Sequence, residues 1–192
     1  MEKSMERQYG FYFDSDRCVQ CHACEVACKS WNELELGVRW RRVLDLWNGK
    51  FPKVTNKTIS LSCMHCAKPA CVEICPAKAI SKRSGDGIVI VDQSKCTGCR
   101  SCAAACPFHV PQYGRTGTMQ KCNLCVERLE QGKQPSCVAT CPGEALKCRP
   151  IEVPQEASTK PAERLTGRTN PALFISGRLT GAELLDLFTS KS

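Results

Sequence analysis

Sixteen of the seventeen cysteines in this 192-residue chain fall into four quartets, and any fold it adopts must gather those thiols in fours. The quartets are Cys18, Cys21, Cys24 and Cys28; Cys63, Cys66, Cys71 and Cys75; Cys96, Cys99, Cys102 and Cys106; and Cys122, Cys125, Cys137 and Cys141. The first and third read Cys-x-x-Cys-x-x-Cys-x-x-x-Cys, a run in which three thiolates grip one iron–sulfur cubane while the fourth reaches a neighbouring one. Four quartets imply four 4Fe-4S clusters, and four clusters imply electron transfer.

Two other chemistries use many cysteines. A disulfide framework has no need of three cysteines on successive turns, and structural zinc takes two pairs of ligands rather than a run of three with a distant fourth. Radical enzymes built round one cluster space three cysteines differently and need a large barrel, for which 192 residues leave no room beside four clusters. The formal charge of +8 would ordinarily suggest an anionic partner such as nucleic acid. Counting the cofactor removes that inference, because an oxidised cubane with four thiolates carries about two negative charges and four of them take off about eight. Many basic residues then read as internal counter-charges. Arg17, Lys95 and Lys121 each stand immediately before the first cysteine of a quartet, where they would stabilise a reduced, more negative cluster; a solvated surface position is the competing reading.

Internal repetition organises the chain. FYFDSDRCVQCHACEVAC at 11–28 aligns without gaps on VIVDQSKCTGCRSCAAAC at 89–106. Each opens on a short apolar run, Phe11 to Phe13 or Val89 to Val91, then an aspartate, Asp14 or Asp92, which predicts a strand feeding a ligand loop. CPAKAISKR at 75–83 aligns on CPGEALKCR at 141–149, with Cys-Pro opening each. Proline's fixed torsion and missing N–H suit a sharp exit from a cluster. The alignment sets Cys148 opposite Lys82, so Cys148 is expected to be a packed thiol rather than a ligand.

The connection between Cys75 and Cys96 makes quartets two and three one compact two-cluster ferredoxin at 63–106. By elimination, quartets one and four make a second at 1–62 plus 107–149, into which the first is inserted. The expected fold class is therefore α+β: two nested ferredoxin-like domains with loop insertions, followed by a C-terminal extension at 150–192 that docks on partners. Exchange of the fourth cysteine gives the ligand sets. In the inner domain these are Cys63, Cys66, Cys71 with Cys106, and Cys96, Cys99, Cys102 with Cys75. In the outer domain they are Cys18, Cys21, Cys24 with Cys141, and Cys122, Cys125, Cys137 with Cys28. Quartets two and four break the strict spacing, with four residues between Cys66 and Cys71 and eleven between Cys125 and Cys137. Loop insertion explains both, since Lys68-Pro69 and Gln134-Pro135 precede the third cysteine in parallel places. Only Cys28 lacks the following proline; Lys29 stands there.

Three segments lie outside the repeats: 29–62, 107–121 and 149–192. The first holds Trp31, Trp40 and Trp47 among Arg39, Arg41 and Arg42, a composition that suits either an interface hot spot or the segment's own small core. The tail from Pro150 is rich in proline, threonine and charge and is expected to run extended over a surface. It ends in LTGAELLDLF, where Thr180 and Glu183 make a capping box and Leu184, Leu187 and Phe188 share one helical face; a partner or this chain's own surface could receive it. His22, His65 and His109 sit in or beside the cysteine motifs, but every ligand place is already a cysteine, so they are expected to support the site or lie on the surface. No apolar run is long enough to span a bilayer, and MEKSMERQYGFYF carries neither a signal core nor a twin-arginine pair. There is also no dinucleotide fingerprint, phosphate loop or acid–base constellation, so no small-molecule substrate and no catalysis of its own are expected. Two nested ferredoxins with added loops are more than a diffusing carrier needs; they suit a fixed wire.

Over nearly its whole length, and most clearly in YGFYFDSDRCVQCHACEVACKSW, SCMHCAKPACVEICPAKAI, CTGCRSCAAACPFHVPQY and CNLCVERLEQGKQPSCVATCP, the chain resembles the iron–sulfur electron-transfer subunit of the dimethyl sulfoxide reductase family of molybdopterin oxidoreductases. The resemblance implies a non-catalytic subunit of a heterotrimer in anaerobic respiration. Its partners would be a large molybdenum or tungsten bis-pterin catalytic subunit and an integral membrane, quinol-binding anchor. It further implies that the outer domain faces the catalytic subunit and the inner domain the anchor. Export together with a signal-bearing catalytic subunit would place the chain on the extracytoplasmic side, although cytoplasmic relatives exist. The alternatives are a polyferredoxin, an electron-transfer subunit of a cytoplasmic formate dehydrogenase or hydrogenase complex, and a cluster-assembly protein.

Overall fold

The computed structural model describes residues 7–151 and 162–189. β1 (Tyr9–Asp14) leads into quartet one and α1 (Ala23–Trp31), followed by a hairpin of β2 (Arg42–Lys50) and β3 (Lys53–Leu61). Quartet two carries α2 (Ala70–Glu73) and is followed by β4 (Ile80–Lys82) and β5 (Val89–Val91), which feeds quartet three and α3 (Ser101–Ala105). Then come β6 (Gln112–Tyr113), β7 (Met119–Gln120), quartet four with α4 (Val126–Glu130) and α5 (Ser136–Ala139), and β8 (Leu146–Pro150). β9 (Glu163–Arg164), β10 (Leu173–Ser176) and α6 (Gly181–Thr189) end the chain.

The two apolar runs form the strands they predict, and both pair in one register. β1 lies antiparallel to β8 with Phe13 opposite Leu146, and β5 lies antiparallel to β4 with Val91 opposite Ile80. The sequence alignment equates those residues pair for pair. It also equates Phe11 opposite Cys148 with Val89 opposite Lys82, which puts Cys148 in the strand ladder, buried. After each run the aspartate closes the same turn: Asp14 Oδ1 accepts the Asp16 N–H at 2.9 Å, and Asp92 Oδ1 the Ser94 N–H at 3.0 Å.

The ligand loops share a second regularity. The residue two beyond the first cysteine of every quartet is left-handed: Gln20 (φ 58°), His65 (φ 39°), Gly98 (φ 70°) and Leu124 (φ 59°). A left-handed residue in such a loop turns successive N–H groups inward, which makes a nest for an anion. The third cysteine is the second residue of a short helix in every quartet, Cys24 in α1, Cys71 in α2, Cys102 in α3 and Cys137 in α5. α1 and α3 are entered through left-handed His22 and Arg100, α2 and α5 through extended Pro69 and Pro135. The inserted loops therefore change how the helix is reached and leave the thiol where it belongs.

Proline decides how each quartet ends. After Cys75, Cys106 and Cys141 the chain makes the same turn, with Lys78, His109 and Glu144 left-handed and their N–H groups on the cysteine carbonyl three residues back, at 3.1, 3.2 and 3.1 Å. Lys29 donates what a proline cannot, so α1 runs on through Cys28 to Trp31, and the Asn32 N–H closes the last turn on the Cys28 carbonyl at 3.2 Å.

The tail adds to the sheet. β10 pairs parallel to β1 and antiparallel to β9, giving the order β8-β1-β10-β9, so β1 is central and its run Gly10–Phe13 is buried. The expected capping box forms reciprocally: the Thr180 N–H donates to Glu183 Oε2 at 3.0 Å and the Glu183 N–H to Thr180 Oγ1 at 3.3 Å. Leu184 of α6 is fully buried, Phe188 meets Phe108 edge-on at 5.3 Å, and Lys57 of β3 pairs with Glu183. In its described parts the extension thus packs on this chain's own sheet and hairpin. The proline-rich stretch expected to run extended falls largely at 152–161, outside the described residues. No described helix is long and apolar enough to cross a membrane.

Candidate metal centres

All seventeen cysteines are free thiols. Cys18, Cys21, Cys24 and Cys141 line one hollow, walled by Phe13, Val43, Ala145 and Leu146. Cys75, Cys96, Cys99 and Cys102 line another, walled by Ile80, Tyr113 and Met119. Cys28 is buried among quartet four: burial pushes its thiol up, and the charges of Cys122, Cys137 and Cys125 push it further. Burial likewise pushes Cys71 to about 12, with Cys63, Cys106 and Cys66 adding to it, against the opposing pull of Lys121. Cys66, at about 11, is raised by burial and then by Cys63 and Cys106. Each group of four thus joins three cysteines of one quartet to the last of another.

The groups also lie near enough to feel one another's charge. Burial raises Cys122 to about 12, and among the thiols that add to it is Cys63 of the next group. Cys106 is raised by burial and then by both Cys63 and Cys102. Cys21 and Cys99 are exposed, and they belong to the two groups that lie at opposite ends of this succession.

Donors converge on the sulfurs. The N–H groups of Leu124, Met119 and Ala79 reach the Sγ atoms of Cys122, Cys96 and Cys75 at 3.4, 3.3 and 3.3 Å, and Asn32 Nδ2 reaches Cys28 Sγ at 3.8 Å. The hydroxyls of Ser60, Tyr113 and Thr169 lie 3.3, 3.2 and 3.3 Å from the sulfurs of Cys24, Cys102 and Cys66. A thiolate accepts from all of these, and such bonds favour the more negative, reduced state of a bound cluster. Thr169 comes from the tail, where nothing in the sequence marked it.

The counter-charges divide. Of the three cations that precede a quartet, Arg17 is half-exposed and bound to Glu144, and Lys95 pairs with Asp92 in solvent. Lys121 is buried, its Nζ donating to the carbonyls of Val89 and Cys122. Arg41, which the sequence grouped with Trp and Arg residues suited to either an interface or a small core of their own, is fully buried. The tryptophans divide as well: Trp40 is half-buried and donates to Gln120 Oε1 at 3.1 Å, whereas Trp47 on the hairpin is 68% exposed. His65 is buried and neutral, held well below its ordinary value by burial and then by Lys121 and Lys82; its Nδ1 accepts the Val89 N–H at 3.0 Å, so the proton sits on Nε2. His22 is half-exposed, and its bond to Glu25 at 2.6 Å raises it.

These groups fit a cubane better than an ion. No three His, Cys, Asp or Glu side chains among the described residues are spaced for one metal ion, whereas tetrahedral zinc, with bonds of about 2.3 Å to sulfur, would draw its thiolates within about 4 Å of each other. A larger body with four corners, anionic and sulfur-rich, matches the hollows, their dry walls and their inward donors. The class is that of a ferredoxin-like iron–sulfur protein. Residues 54–150 match the family described as a 4Fe-4S dicluster domain, and residues 15–31 one described as a 4Fe-4S binding domain. The chain is 43% identical over 157 residues to the B subunit of the anaerobic dimethyl sulfoxide reductase of Escherichia coli, covering 77% of this chain and 76% of that one. It is 40% identical over 151 residues to the thiosulfate reductase electron transfer subunit PhsB of Salmonella typhi (74% and 76%), and 39% over 159 to the formate dehydrogenase iron-sulfur subunit of Wolinella succinogenes (71% and 78%). It belongs to the family of iron–sulfur electron-transfer subunits that serve the dimethyl sulfoxide reductase class of molybdoenzymes.

Proposed function

We propose that this chain is a fixed electron wire between a molybdenum or tungsten bis-pterin catalytic subunit and a membrane anchor that oxidises quinol. Its sixteen quartet cysteines would hold four 4Fe-4S clusters in two nested ferredoxin-like domains, with the ligand sets Cys18, Cys21, Cys24 and Cys141; Cys28, Cys122, Cys125 and Cys137; Cys63, Cys66, Cys71 and Cys106; and Cys75, Cys96, Cys99 and Cys102. When bound, each cluster takes up and gives back one electron at a time. The observation that carries the reading is the succession of these sets. The two with an exposed cysteine are at the ends, and the two sets without one lie between them, coupled through Cys122 and Cys63. The equivalent strand pairs, β1 with β8 and β5 with β4, support the nested arrangement.

What the chain itself contributes is position, dryness and charge. Val19, Val26 and Trp47 stand exposed around the Cys21 end, and Phe51 at the hairpin tip is 93% exposed, which suits burial against the catalytic subunit. The Cys99 end would then face the anchor. Export together with a signal-bearing catalytic subunit would place this wire on the extracytoplasmic face. The formate dehydrogenase relative favours one second reading, the same wire in a formate-oxidising complex.

The test is composition and turnover of the anaerobically purified complex. Iron and acid-labile sulfide should each approach sixteen per chain, and a large molybdenum or tungsten subunit should copurify. Cys102→Ser should abolish quinol-driven turnover while leaving the catalytic subunit's reaction with an artificial donor intact. Half the iron, or loss of both activities, would sink the wire.

A further inference from the structure

Arg41 occupies a place that no surface role explains. It stands at the root of the hairpin, 2% exposed, with its guanidinium carbon 4.3 Å from the centre of the Phe11 ring. Nη1 donates to the Ser60 carbonyl and hydroxyl at 3.3 and 3.0 Å, and Nη2 to the Ser62 hydroxyl at 2.9 Å. Its Nε–H has no acceptor among the described residues. No carboxylate there is within ion-pair distance of it.

A guanidinium buried without an anion is among the costlier things a fold can hold. The groups whose charge would answer Arg41 once ligated are cysteines of two different sets: Cys24 of one, and Cys28, Cys122 and Cys137 of the other, with Cys137 in hydrogen-bonding reach of the guanidinium. Ser60 ties the arrangement together, since its hydroxyl accepts from Arg41 and lies 3.3 Å from Cys24 Sγ. Those two sets are the ones that draw on both quartet one and quartet four.

We propose that Arg41 is a single counter-cation shared by the two outer cubanes, raising the reduction potential of both. The inference rests on the proposed ligand sets. Each reduction adds one electron to a cluster and no proton to Arg41, which stays cationic throughout, so its attraction grows by one unit of charge with each electron added. The guanidinium already reaches the Cys137 sulfur, and its unpartnered Nε–H is a further donor, for which sulfur of a bound cluster qualifies. Lys121 plays no such shared part between these two sets, because its Nζ is spent on the carbonyls of Val89 and Cys122.

The experiment is a redox titration of the whole complex, followed by electron paramagnetic resonance. Single cysteine-to-serine changes, one per set, assign the signals. Arg41→Gln should retain all four clusters by iron count, lower both outer midpoint potentials and leave the two inner ones in place. Arg41→Lys should restore most of the shift. Outer potentials that stay put, four that fall together, or a Lys variant no better than Gln would each overturn the shared cation. Should the Gln variant lose iron, arginine labelled with nitrogen-15 in the unaltered complex decides. A guanidinium hyperfine coupling at both reduced outer clusters is expected, and its absence from either overturns the proposal. A wild-type complex with only two clusters would instead remove the ligand sets themselves, a different failure from unmoved potentials.

Discussion

Tyr113 shows how one side chain can set a potential. Its hydroxyl lies 3.2 Å from Cys102 Sγ, Arg100 stacks over its ring at 5.0 Å, and burial followed by the bond to Cys102 pushes its own ionisation up, so it stays a donor. A hydrogen bond worth about 0.5–1.5 kcal/mol and favouring the reduced state corresponds to about 20–60 mV for one electron. Tyr113→Phe should therefore lower one midpoint potential by that amount without loss of iron, as a potentiometric titration will show. Cys148 makes the opposite case. It is buried beside Cys137 and Cys122, yet its backbone position is that of Lys82 in the other repeat. Cys148→Ala should keep every cluster, at a packing cost of about 1 kcal/mol, whereas Cys28→Ser should disturb one; iron analysis separates them. At this scale the sequence was legible wherever two copies could be laid side by side, which is how Cys148 was set apart. Arg41, Ser60, Tyr113 and Thr169 have no second copy in the repeats, and only tertiary contact reveals what they touch.

Among the elements, α6 stands on its cap and its buried leucine. Thr180→Ala removes one half of the capping box and should cost about 0.5–2 kcal/mol, while Leu184→Ala, which empties a fully buried site, should cost about 2–5 kcal/mol. Both should appear as faster amide hydrogen exchange over Gly181–Thr189 in the loaded chain, before any loss of iron. Strand runs and the cap were readable because each is local: a short apolar run and Thr-x-x-Glu act within a few residues, whereas the short helices that carry the third cysteines had no such mark. The destination of the tail was not readable, because parallel pairing of β10 with β1 joins residues more than a hundred apart and leaves no local trace. The hairpin is intermediate. Its β-branched and aromatic residues suit strands, but only the structure divides Trp40, which packs inward, from Trp47, which does not.

For the molecule as a whole, burial makes cluster loading depend on pH. Cys66, Cys71 and Cys122 are held at about 11, 12 and 12, so in the empty chain these thiols keep their protons at neutral pH. Ligation needs thiolates, so each insertion releases protons, and the apparent affinity for iron and sulfide should rise with pH below those values. Stability of the empty fold should move the other way: above the ordinary thiol value of 9.0 the unfolded chain sheds protons that the folded one retains, so stability falls as pH climbs through 9.0 towards about 12. Proton release during anaerobic reconstitution in weak buffer measures the first, and chemical denaturation of the apoprotein at pH 7 and 10 the second. The succession of the sets carries one more consequence, for biosynthesis. As the chain leaves the ribosome, the proposed ligand sets would become complete at residues 102, 106, 137 and 141, in that order. Laid out in space, the same order runs from the Cys99 end to the Cys21 end. A cell that loads iron as each site closes would build this protein as a cable is laid, from one terminal to the other, and the terminal facing the hairpin would be the last to go live.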